Sequence, residues 1–330
     1  MPAAAEASPA TPFGDRLAAA VAARESQIVL GLDPDPSKLW PDAAGASAEL
    51  VAALAGAERA AGLGAGDGAR GPRLEAAAAV LGHCLALIDA AGPACVAVKP
   101  QLACFERLGF PGWLALEAAV ARAHENGLLV IADGKRGDVP TSAQAYAQGL
   151  LDGVGTPYGA SGGLHADAVT LNPLLGGDAL APFEGAAGRA GAGLFVLVRT
   201  SNPGAADLLD AELAGGGPLW ERIAGLVAGA GTPGPRSGLT EVGAVCGATV
   251  PQHLARMREL MPCAPFLLPG VGAQGGAVGD LAPAFGPGRA AGLVTASRSI
   301  SDAHAQAGGT PAHAARAEAE RLRAAAWALA

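Results

Sequence analysis

The sequence predicts an α/β fold, a (β/α)8 TIM barrel, on the basis of two observations. Eight short apolar segments alternate with helical segments along the 330 residues, and each apolar segment is a continuous run rather than an alternation of apolar and polar residues. Continuous runs are typical of strands buried on both faces, and strict alternation of eight strands with helices favours a closed parallel barrel. The competing fold is an open doubly wound sheet. Its dinucleotide-binding form has a Gly-rich turn after the first strand, whereas such a turn follows the seventh strand here.

The chain is predicted to form one barrel domain over residues 1–330. Residues 1–12 are rich in Ala and Pro and are expected to be a flexible N-terminus. Residues 60–73 are Gly-rich and of low complexity, so we expect a mobile loop inserted between two helical segments. No repeat at a period typical of solenoid proteins is visible.

The first part of the chain predicts three strands. A helix over residues 15–25 follows the start signal Thr11-Pro12 and leads into the first strand at 27–33, which Pro34 ends. Helical sequence resumes at 74–91 after the Gly-rich insertion, and the second strand, at 94–100, closes with Lys99. A helix over 111–126 stops at Gly127, and the third strand begins with the apolar run 128–131.

The rest of the chain predicts five more strands, at residues 167–173, 193–199, 242–246, 265–269 and 291–296. Helices are predicted between them at 142–151, 178–187, in two pieces within 205–230, and at 250–261, with a final helix over 302–328. The segment 153–163 is rich in Gly and is expected to be a loop.

Composition excludes several classes of partner and site. The chain has 22 Lys+Arg against 30 Asp+Glu, a net charge of -8, and no basic tract, so nucleic-acid binding is not expected. No apolar run is expected to reach the length of a membrane span, and the start of the chain lacks the pattern of a secretory signal. Five cysteines without a C-x-x-C pair predict reduced thiols in a cytoplasmic protein. The six scattered histidines show no metal-ligand spacing, so no metal site is expected.

The end of the third strand carries three charged residues, Asp133, Lys135 and Asp138, within six positions. Alternate residues of a strand face the same side, so Asp133 and Lys135 are expected to point into one cavity. Asp138 is expected on the loop beyond the strand, which Gly137 and Pro140 shape. Such a cluster is unfavourable in a core and typical of an active site. The alternative is a solvated loop with surface salt bridges.

Polar residues at the other strand ends favour the active-site interpretation. In a closed barrel the carboxyl ends of all strands lie on one face, where barrel enzymes have their active sites. Charged or amide groups at most of these ends are hard to explain as purely structural features. Such groups follow six further strands, at Asp33, Lys99, Asn172, residues 199–202, residues 270–274 and Arg298.

The turns after the last two strands predict a phosphate site. The Gly-rich segment 270–276 is expected to supply backbone N–H groups at the start of a helix. Arg298 adds a planar fork of donors that suits phosphate. Barrel enzymes frequently bind phosphate between these two loops. A phosphate-bearing substrate therefore explains the two turns better than a merely flexible Gly-rich turn does.

In their order and spacing these motifs resemble orotidine 5'-phosphate decarboxylases over nearly the whole barrel. The segment DGKRGDVP at 133–140 is similar to the signature of that family. KRGD together with TSNPG resembles its longer bacterial subgroup. The other matching segments are GLD at 31–33, VKPQ at 98–101, RTSNPG at 199–204, PGVGAQGG at 269–276 and SRSI at 297–300.

The resemblance implies a catalytic set of four charged residues, which we call the charge array: Lys99, Asp133, Lys135 and Asp138. It implies that Asp133 lies against the substrate carboxylate and that Lys135 donates a proton to C6 of the pyrimidine. Lys99 would also bind the ribose hydroxyls, together with Asp33. Asp138 would reach across the interface of a homodimer into the neighbouring active site.

The resemblance also implies contacts to the pyrimidine and the phosphate. Ser201 and Gln274 would contact the pyrimidine, Gln274 would also lie near the phosphate, and Arg298 would bind it. The family usually has Thr four residues after the second Asp of the signature. That position is Ser142 here, with Thr141 just before it, so both hydroxyls remain candidates for the contact. The remaining implied substrate-binding positions are Pro269, Val271 and Ser297.

The implied activity is the decarboxylation of orotidine 5'-monophosphate to UMP and CO2, the last step of de novo pyrimidine nucleotide synthesis, without metal or cofactor. Removing CO2 from C6 leaves an electron pair that the ring does not readily delocalise. The protein must then lower the barrier by electrostatics, with the Lys135 ammonium held in place before the reaction.

Two other functions remain open from the residues alone. Sugar-phosphate decarboxylases and hexulose-phosphate synthases share the D-x-K-x-x-D pattern but use Mg2+ on a Glu and an Asp, whereas Ala132 precedes Asp133 here. The strand-five turn Thr200-Ser201-Asn202 also favours a pyrimidine. A catalytically silent nucleotide-binding regulator is the second alternative, and the intact Asp133 and Lys135 argue against it.

Overall fold

The computed structural model describes residues 11–41, 48–60, 70–272 and 275–329. Eight parallel strands close a barrel, which confirms the predicted fold. The strand order around the barrel follows the chain, and the first strand pairs with the last. The barrel strands are Ile28–Leu32 (β1), Ala97–Pro100 (β2), Leu129–Arg136 (β3), Ala168–Leu171 (β6), Gly193–Arg199 (β7), Val242–Cys246 (β8), Phe266–Leu268 (β9) and Gly292–Ala296 (β10).

Helices surround the barrel in the order that the alternating pattern predicts. The α-helices are Phe13–Arg24 (α1), Ala48–Ala60 (α2), Arg70–Ala91 (α3), Leu102–Glu106 (α4), Phe110–Glu125 (α5), Pro140–Ala147 (α6), Gly177–Ala190 (α7), Ala205–Leu209 (α8), Leu219–Ala228 (α9), Leu254–Leu260 (α10), Arg298–Ser301 (α11), His304–Ala307 (α12) and Pro311–Trp327 (α13). Short 3-10 helices lie at Gly92–Ala94, Pro251–His253, Val278–Phe285 and Arg289–Ala291, and one π-helical turn lies at Gln148–Asp152.

Helix α1 closes the amino-terminal end of the barrel. The Phe13 ring packs edge-on against Phe195 of β7, with 6.1 Å between the ring centroids. A Cβ at Gly193 would lie only 2.3 Å from the Phe13 ring, so this position must be glycine for the ring to enter. Apolar side chains fill the adjacent barrel interior, including Val29 and Ile131. Among the described residues, these apolar side chains therefore fill the barrel interior at its amino-terminal end.

Two buried carboxylates hold this closed end together. Asp15 of α1 accepts hydrogen bonds from the backbone N–H groups of Ser237 (2.8 Å) and Arg236 (3.2 Å). Asp167, just before β6, accepts from the backbone N–H of Val130 at 2.9 Å and is paired with Arg16. Each carboxylate thus joins segments that are distant in the sequence.

Two predicted elements were wrong. The segment 153–163 is not a plain loop, because it contains an antiparallel hairpin of Val154–Thr156 (β4) and Gly159–Ser161 (β5). The Thr156 hydroxyl donates to the Gly159 carbonyl at 2.7 Å across its turn. The single helix predicted over 302–328 is divided into α12 and α13. Gly308 and Gly309 interrupt it, because their φ angles are 71° and 78°. Thr310 then caps α13 before its first residue, Pro311.

The expectation that no apolar segment reaches the length of a membrane span was wrong for the helix that follows the Gly-rich insertion. The stretch Gly71–Ala94 is long and apolar enough to cross a membrane by length and composition. Its apolar window is 61% buried inside the protein, however, as in a core helix. The insertion itself, predicted over 60–73, lies largely outside the described residues, which end at Ala60 on one side and resume with α3 on the other. Most of the predicted flexible N-terminus, residues 1–10, also lies outside them.

Candidate active site

A cavity of about 440 Å³ opens at the carboxyl-terminal face of the barrel. Side chains at the ends of β1, β2, β3, β7, β9 and β10 meet in it, as the strand-end pattern predicts. Nine of the predicted site residues line this cavity: Asp33, Lys99, Asp133, Lys135, Ser201, Pro269, Val271, Ser297 and Arg298. Gln274, a tenth predicted residue, lies outside the described residues.

Asp133 is held between two lysines on the cavity floor. Its Oδ2 lies 2.5 Å from Lys99 Nζ, and its Oδ1 lies 2.6 Å from Lys135 Nζ. Lys99 and Asp133 are 6% and 4% exposed, whereas the Lys135 side chain is 43% exposed. The two lysines therefore differ in environment, since Lys99 is almost fully buried at the cavity floor and Lys135 is partly open to solvent.

The charges of this cluster stabilise one another against burial. Burial alone would raise the pKa of Asp133, but the Lys99 ammonium and then the Lys135 ammonium hold it at about 2. Burial opposes the charged form of Lys99 as well, yet Asp133 and then Asp33 raise its pKa above the usual value. At neutral pH the site therefore contains a carboxylate and at least one buried ammonium group in fixed positions.

The backbone of β3 is irregular where it presents Lys135. The pairing with β6 changes register between Ala132 and Arg136, and Lys135 has a φ of 47°, in the left-handed region. Its backbone N–H donates to the hydroxyl of Thr170 at 3.0 Å instead of to a strand carbonyl. The predicted strand thus extends past its apolar run, and a local irregularity aims the lysine over Asp133.

Two residues that complete the cluster were not predicted as site residues. The Thr170 hydroxyl donates to Asp133 Oδ1 at 2.8 Å, and Gln101 Nε2 donates to Asp133 Oδ2 at 3.2 Å. Gln101 directly follows the Lys99-Pro100 motif, so its place in the sequence was a usable signal. A single hydroxyl within the apolar strand β6 is a weak signal, because threonine is common in strands.

The ends of β1 and β10 are joined by a polar contact. The Ser297 hydroxyl donates to Asp33 Oδ2 at 2.6 Å. The two strands approach so closely that a Cβ at Gly31 would lie 2.7 Å from the Ser297 Cβ. The indole N–H of Trp40 donates to the Ser301 carbonyl at 2.8 Å and so ties the loop after β1 to α11, the helix that Arg298 begins.

In the described part of the Gly-rich loop after β9, three backbone N–H groups that were predicted to bind phosphate bond within the loop instead. The backbone N–H groups of Gly272, Gly275 and Gly276 donate to carbonyls within the same loop, at 2.8–3.0 Å. These three groups are therefore not available to an anion at the start of a helix. Arg298 borders the cavity, and no carboxylate within the described part of the chain forms a salt bridge with it. The guanidinium is the stronger basis for a phosphate site.

Two polar residues at strand ends have structural roles instead. Arg199 binds Asp210 through two nitrogens, at 2.7 and 2.9 Å, and does not line the cavity. The Asn172 side-chain oxygen accepts from the Leu174 backbone N–H at 3.1 Å and shapes the turn after β6. Both follow the strand-end pattern, but neither contributes to the site.

Asp138, Thr141 and Ser142 do not line the cavity of their own chain. Asp138 lies on the loop between β3 and α6, where its carboxylate accepts from the Val139 backbone N–H at 2.7 Å. Thr141 and Ser142 lie in the first turn of α6. The fourth member of the charge array thus lies outside the cavity that contains the other three.

A larger groove, of about 830 Å³, lies at the opposite end of the barrel. Its arginines are already paired with carboxylates, Arg16 with Asp167 and Arg189 with Asp152. These ion pairs join the helices around the closed end. The smaller cavity, not this groove, contains the shared carboxylate between two lysines and is the candidate active site.

In residues 11–41, 48–60, 70–272 and 275–329, no group of three or more His, Cys, Asp or Glu side chains is placed to hold a metal ion.

Comparison with known proteins gives a consistent assignment. Residues 27–316 match the model of the orotidine 5'-phosphate decarboxylase / HUMPS family. Orotidine 5'-phosphate decarboxylase of Deinococcus radiodurans is 47% identical over 222 residues, which cover 66% of this chain and 75% of the relative. That of Haloarcula marismortui is 40% identical over 288 residues, which cover 87% of this chain and 86% of the relative. The crystal structure of a Streptomyces avermitilis protein, described as a candidate orotidine 5'-phosphate decarboxylase, has a TM-score of 0.74 and 30% identity over 99% of this chain and 98% of that one.

Proposed function

The chain belongs to the orotidine 5'-phosphate decarboxylase / HUMPS family, and from this membership we propose that it converts orotidine 5'-monophosphate to UMP and CO2. This carbon–carbon lyase reaction is the last step of de novo pyrimidine nucleotide synthesis. The observation that carries the proposal is the Lys99–Asp133–Lys135 cluster at the floor of a cavity that also contains Arg298. Activity requires a cavity that binds a nucleotide and places C6 beside an ammonium group.

The nucleotide is expected to span the cavity from its floor to Arg298. The guanidinium of Arg298 binds the phosphate, since its planar fork of donors matches phosphate oxygens. Asp33 and Lys99 bind the ribose hydroxyls, and Ser201 lies at the pyrimidine. Pro269, Val271 and Ser297 complete the wall around the substrate, and these placements are supported by their position around one cavity. Gln274 is proposed as a further contact to pyrimidine and phosphate.

The reacting carboxylate is proposed to lie against Asp133, with Lys135 beside C6. When the bond from C6 to the carboxylate breaks, CO2 leaves and the electron pair stays on C6. An N–H of the Lys135 ammonium then transfers its proton to C6, which gives UMP and a neutral amine. The exposed part of Lys135 allows the amine to recover a proton from solvent.

The protein contributes a charge distribution that exists before the substrate arrives. Negative charge moves from the carboxylate to C6 during the reaction, and the Lys135 ammonium already lies there. Asp133 remains ionised throughout the neutral range because its pKa is about 2. The phosphate contact lies away from C6, so its binding energy is available for positioning the ring.

A spectrophotometric assay with orotidine 5'-monophosphate tests this proposal. Conversion to UMP should proceed at the same rate with and without EDTA, because the proposed chemistry uses only the charges of the protein. Loss of activity on EDTA treatment, with recovery on adding Mg2+, would instead favour the sugar-phosphate branch of the family. No conversion under any condition would favour a nucleotide-binding regulator.

We further propose that the enzyme is a homodimer with shared active sites. Asp138 is absent from the cavity of its own chain, yet it belongs to the charge array that the family resemblance implies. Its loop lies beside the turn after β6, because a Cβ at Gly137 would be 2.5 Å from the Asn172 carbonyl. Exposed apolar side chains lie on this loop, on α6 and on the turn after β6, as expected of an interface between two copies. They are Val139, Tyr146, Leu174 and Leu175.

Subunit exchange between two inactive variants tests this sharing. Lys135→Ala removes the proton donor, and Asp138→Ala breaks the array, so each homodimer should be nearly inactive. In a mixed dimer one site has an intact Lys135 from one chain and an intact Asp138 from the other. Random pairing makes about half the dimers mixed, so about one site in four should regain activity. Absence of recovery despite demonstrated exchange would place Asp138 in its own chain's site. The hydroxyl of Thr141 or of Ser142 is proposed to contact the neighbouring active site across the same interface.

A cytoplasmic location is also proposed. It is supported by the chemistry of the cysteines: all five are free thiols, and burial raises the pKa of Cys84, Cys95 and Cys246. Buried thiols with raised pKa values are inert and suit a reducing compartment.

A further inference from the structure

We propose that Thr170 is a positioning residue for catalysis, whose hydroxyl fixes the direction of the Lys135 ammonium. The inference rests on the proposed decarboxylation, in which Lys135 is the proton donor. Thr170 lies in β6, is 1% exposed, and does not itself carry a charge or a reactive group. It acts through two residues of the charge array at the same time.

The hydroxyl group links the backbone of one array member to the side chain of another. Its oxygen accepts the Lys135 backbone N–H at 3.0 Å, and its proton goes to Asp133 Oδ1 at 2.8 Å. A hydroxyl is both donor and acceptor, and both capacities are used here. Asp133 Oδ1 then receives the Thr170 hydroxyl and Lys135 Nζ together, while Lys99 and Gln101 occupy Oδ2. The carboxylate is therefore held on both oxygens.

The backbone of Lys135 needs this support. A φ of 47° is uncommon for a residue other than glycine, and it requires surrounding structure to maintain it. Among the described residues, Glu25 and His165 share the feature, and Glu25 simply ends helix α1. Lys135 instead lies within a barrel strand, where the register shift removes its usual pairing with β6. The Thr170 hydroxyl replaces the missing ladder partner.

The consequence concerns the position of Nζ. With Lys135 in the left-handed conformation, its side chain returns over Asp133, two residues earlier in the strand, and reaches Oδ1 at 2.6 Å. Without the hydroxyl, the Lys135 N–H is left without its acceptor, and the Asp133 carboxylate loses one of its four donors. Both changes free the ammonium to move away from C6. Misplacing a catalytic group by about 1 Å costs about 100-fold in rate.

The alternative is that Thr170 is only a well-satisfied strand threonine. In that case its replacement would reduce stability without a specific effect on the chemical step. Thr240 provides a matched comparison. It is buried, its hydroxyl donates to the Val242 carbonyl at 2.8 Å, and it lies before β8, away from the cavity.

The test compares Thr170→Val, Thr170→Ser and Thr240→Val in the full-length enzyme. Valine keeps the branched shape and removes the hydroxyl, whereas serine keeps the hydroxyl. Thr170→Val should lower kcat for orotidine 5'-monophosphate by about 10–100-fold, because the proton donor is misplaced. Its KM should change by less than about three-fold, because ribose and phosphate contacts remain. Thr170→Ser should stay within about three-fold of the wild type in kcat, and Thr240→Val should lower urea stability only.

Urea unfolding of all three variants distinguishes a misplaced Lys135 ammonium from a general loss of folding stability. The inference is overturned if Thr170→Val keeps the wild-type kcat, or if Thr240→Val of equal stability loses kcat to the same extent. If Thr170→Val does not fold, Thr170→Cys decides by the same criterion, because a thiol is a poor hydrogen-bonding group of similar size. Failure of the proposed function has a different signature, since the wild type itself would then not decarboxylate the nucleotide.

Discussion

The buried ion pair between Lys99 and Asp133 allows a quantitative test by a double-mutant cycle. The perturbations are Lys99→Met, Asp133→Asn and the double variant, each of which nearly preserves side-chain volume. Both residues are almost fully buried, and their charged atoms lie 2.5 Å apart. Removing one partner of a buried pair leaves an uncompensated charge, so the two single variants and the double should not behave additively.

The structure gives an expected order of stability. Asp133→Asn leaves the Lys99 ammonium buried without the carboxylate that is hydrogen-bonded to it, which should cost about 3–5 kcal/mol. Lys99→Met should cost less, about 1–2 kcal/mol, because Asp133 keeps Lys135 and the Thr170 hydroxyl. In the double variant only Lys135 lacks its partner, and that side chain is partly exposed. The coupling should therefore be about 3 kcal/mol, which makes the double variant more stable than Asp133→Asn.

Urea unfolding at pH 7 measures these differences, since stability falls linearly with denaturant. Activity should be lost in all three variants, so that recovery of stability in the double variant is not accompanied by recovery of catalysis. The exposed pair Arg122–Asp89, at 2.9 Å with side chains 37% and 49% exposed, is the control. Its coupling should not exceed about 1 kcal/mol. Additive effects at Lys99 and Asp133, or an Asp133→Asn variant as stable as the wild type, would refute the reasoning.

Two further predictions concern the phosphate contact and the closed end of the barrel. Arg298→Ala should weaken binding of orotidine 5'-monophosphate by about 1.5–3 kcal/mol, or about 10–150-fold, through the loss of charge-assisted bonds. Orotidine without phosphate should be much less affected, and equal losses for both substrates would contradict the assignment. At the closed end, burial would raise the pKa of Asp167, but hydrogen bonds from His124 and Val130 and the charge of Arg16 lower it below 3.8. A carboxyl whose pKa is lower when folded contributes stability above the unfolded pKa and loses it as the pH falls through the folded value. The free energy of unfolding, measured with urea at a series of pH values, should therefore decrease below about pH 4 in the wild type. It should decrease less steeply in Asp167→Asn. The same decrease in both proteins would contradict this role.

Much of the site could be predicted because a parallel barrel converts sequence position into location. Each residue that follows a buried strand arrives at the same face, so Asp33, Lys99 and Arg298 were placed without knowledge of any contact. The two-residue spacing of Asp133 and Lys135 likewise predicted that both reach one cavity, although a left-handed backbone at Lys135, and not regular strand alternation, brings its side chain there. These inferences depend on periodicity, which is local.

Partners across strands were not predictable in this way. Arg199 and Asn172 satisfy the same strand-end pattern, yet Asp210 and the Leu174 backbone take their side chains out of the site. Thr170 was overlooked for the opposite reason, since a hydroxyl in an apolar strand reveals its role only beside the backbone of Lys135. Which group a polar side chain bonds to depends on the tertiary structure, and local sequence patterns do not reveal it.

The arrangement of the barrel explains how this fold tolerates a buried charged cluster. At the closed end the interior is apolar, and α1 seals it with Phe13. Lys99 and Asp133 lie near the open end, where the Asp133 carboxylate has four hydrogen-bond donors. Because these donors are already fixed, little reorganisation is needed when charge moves onto C6. The energy for holding the charges together comes from folding the rest of the barrel, so removing one charge of the cluster should cost both stability and catalysis.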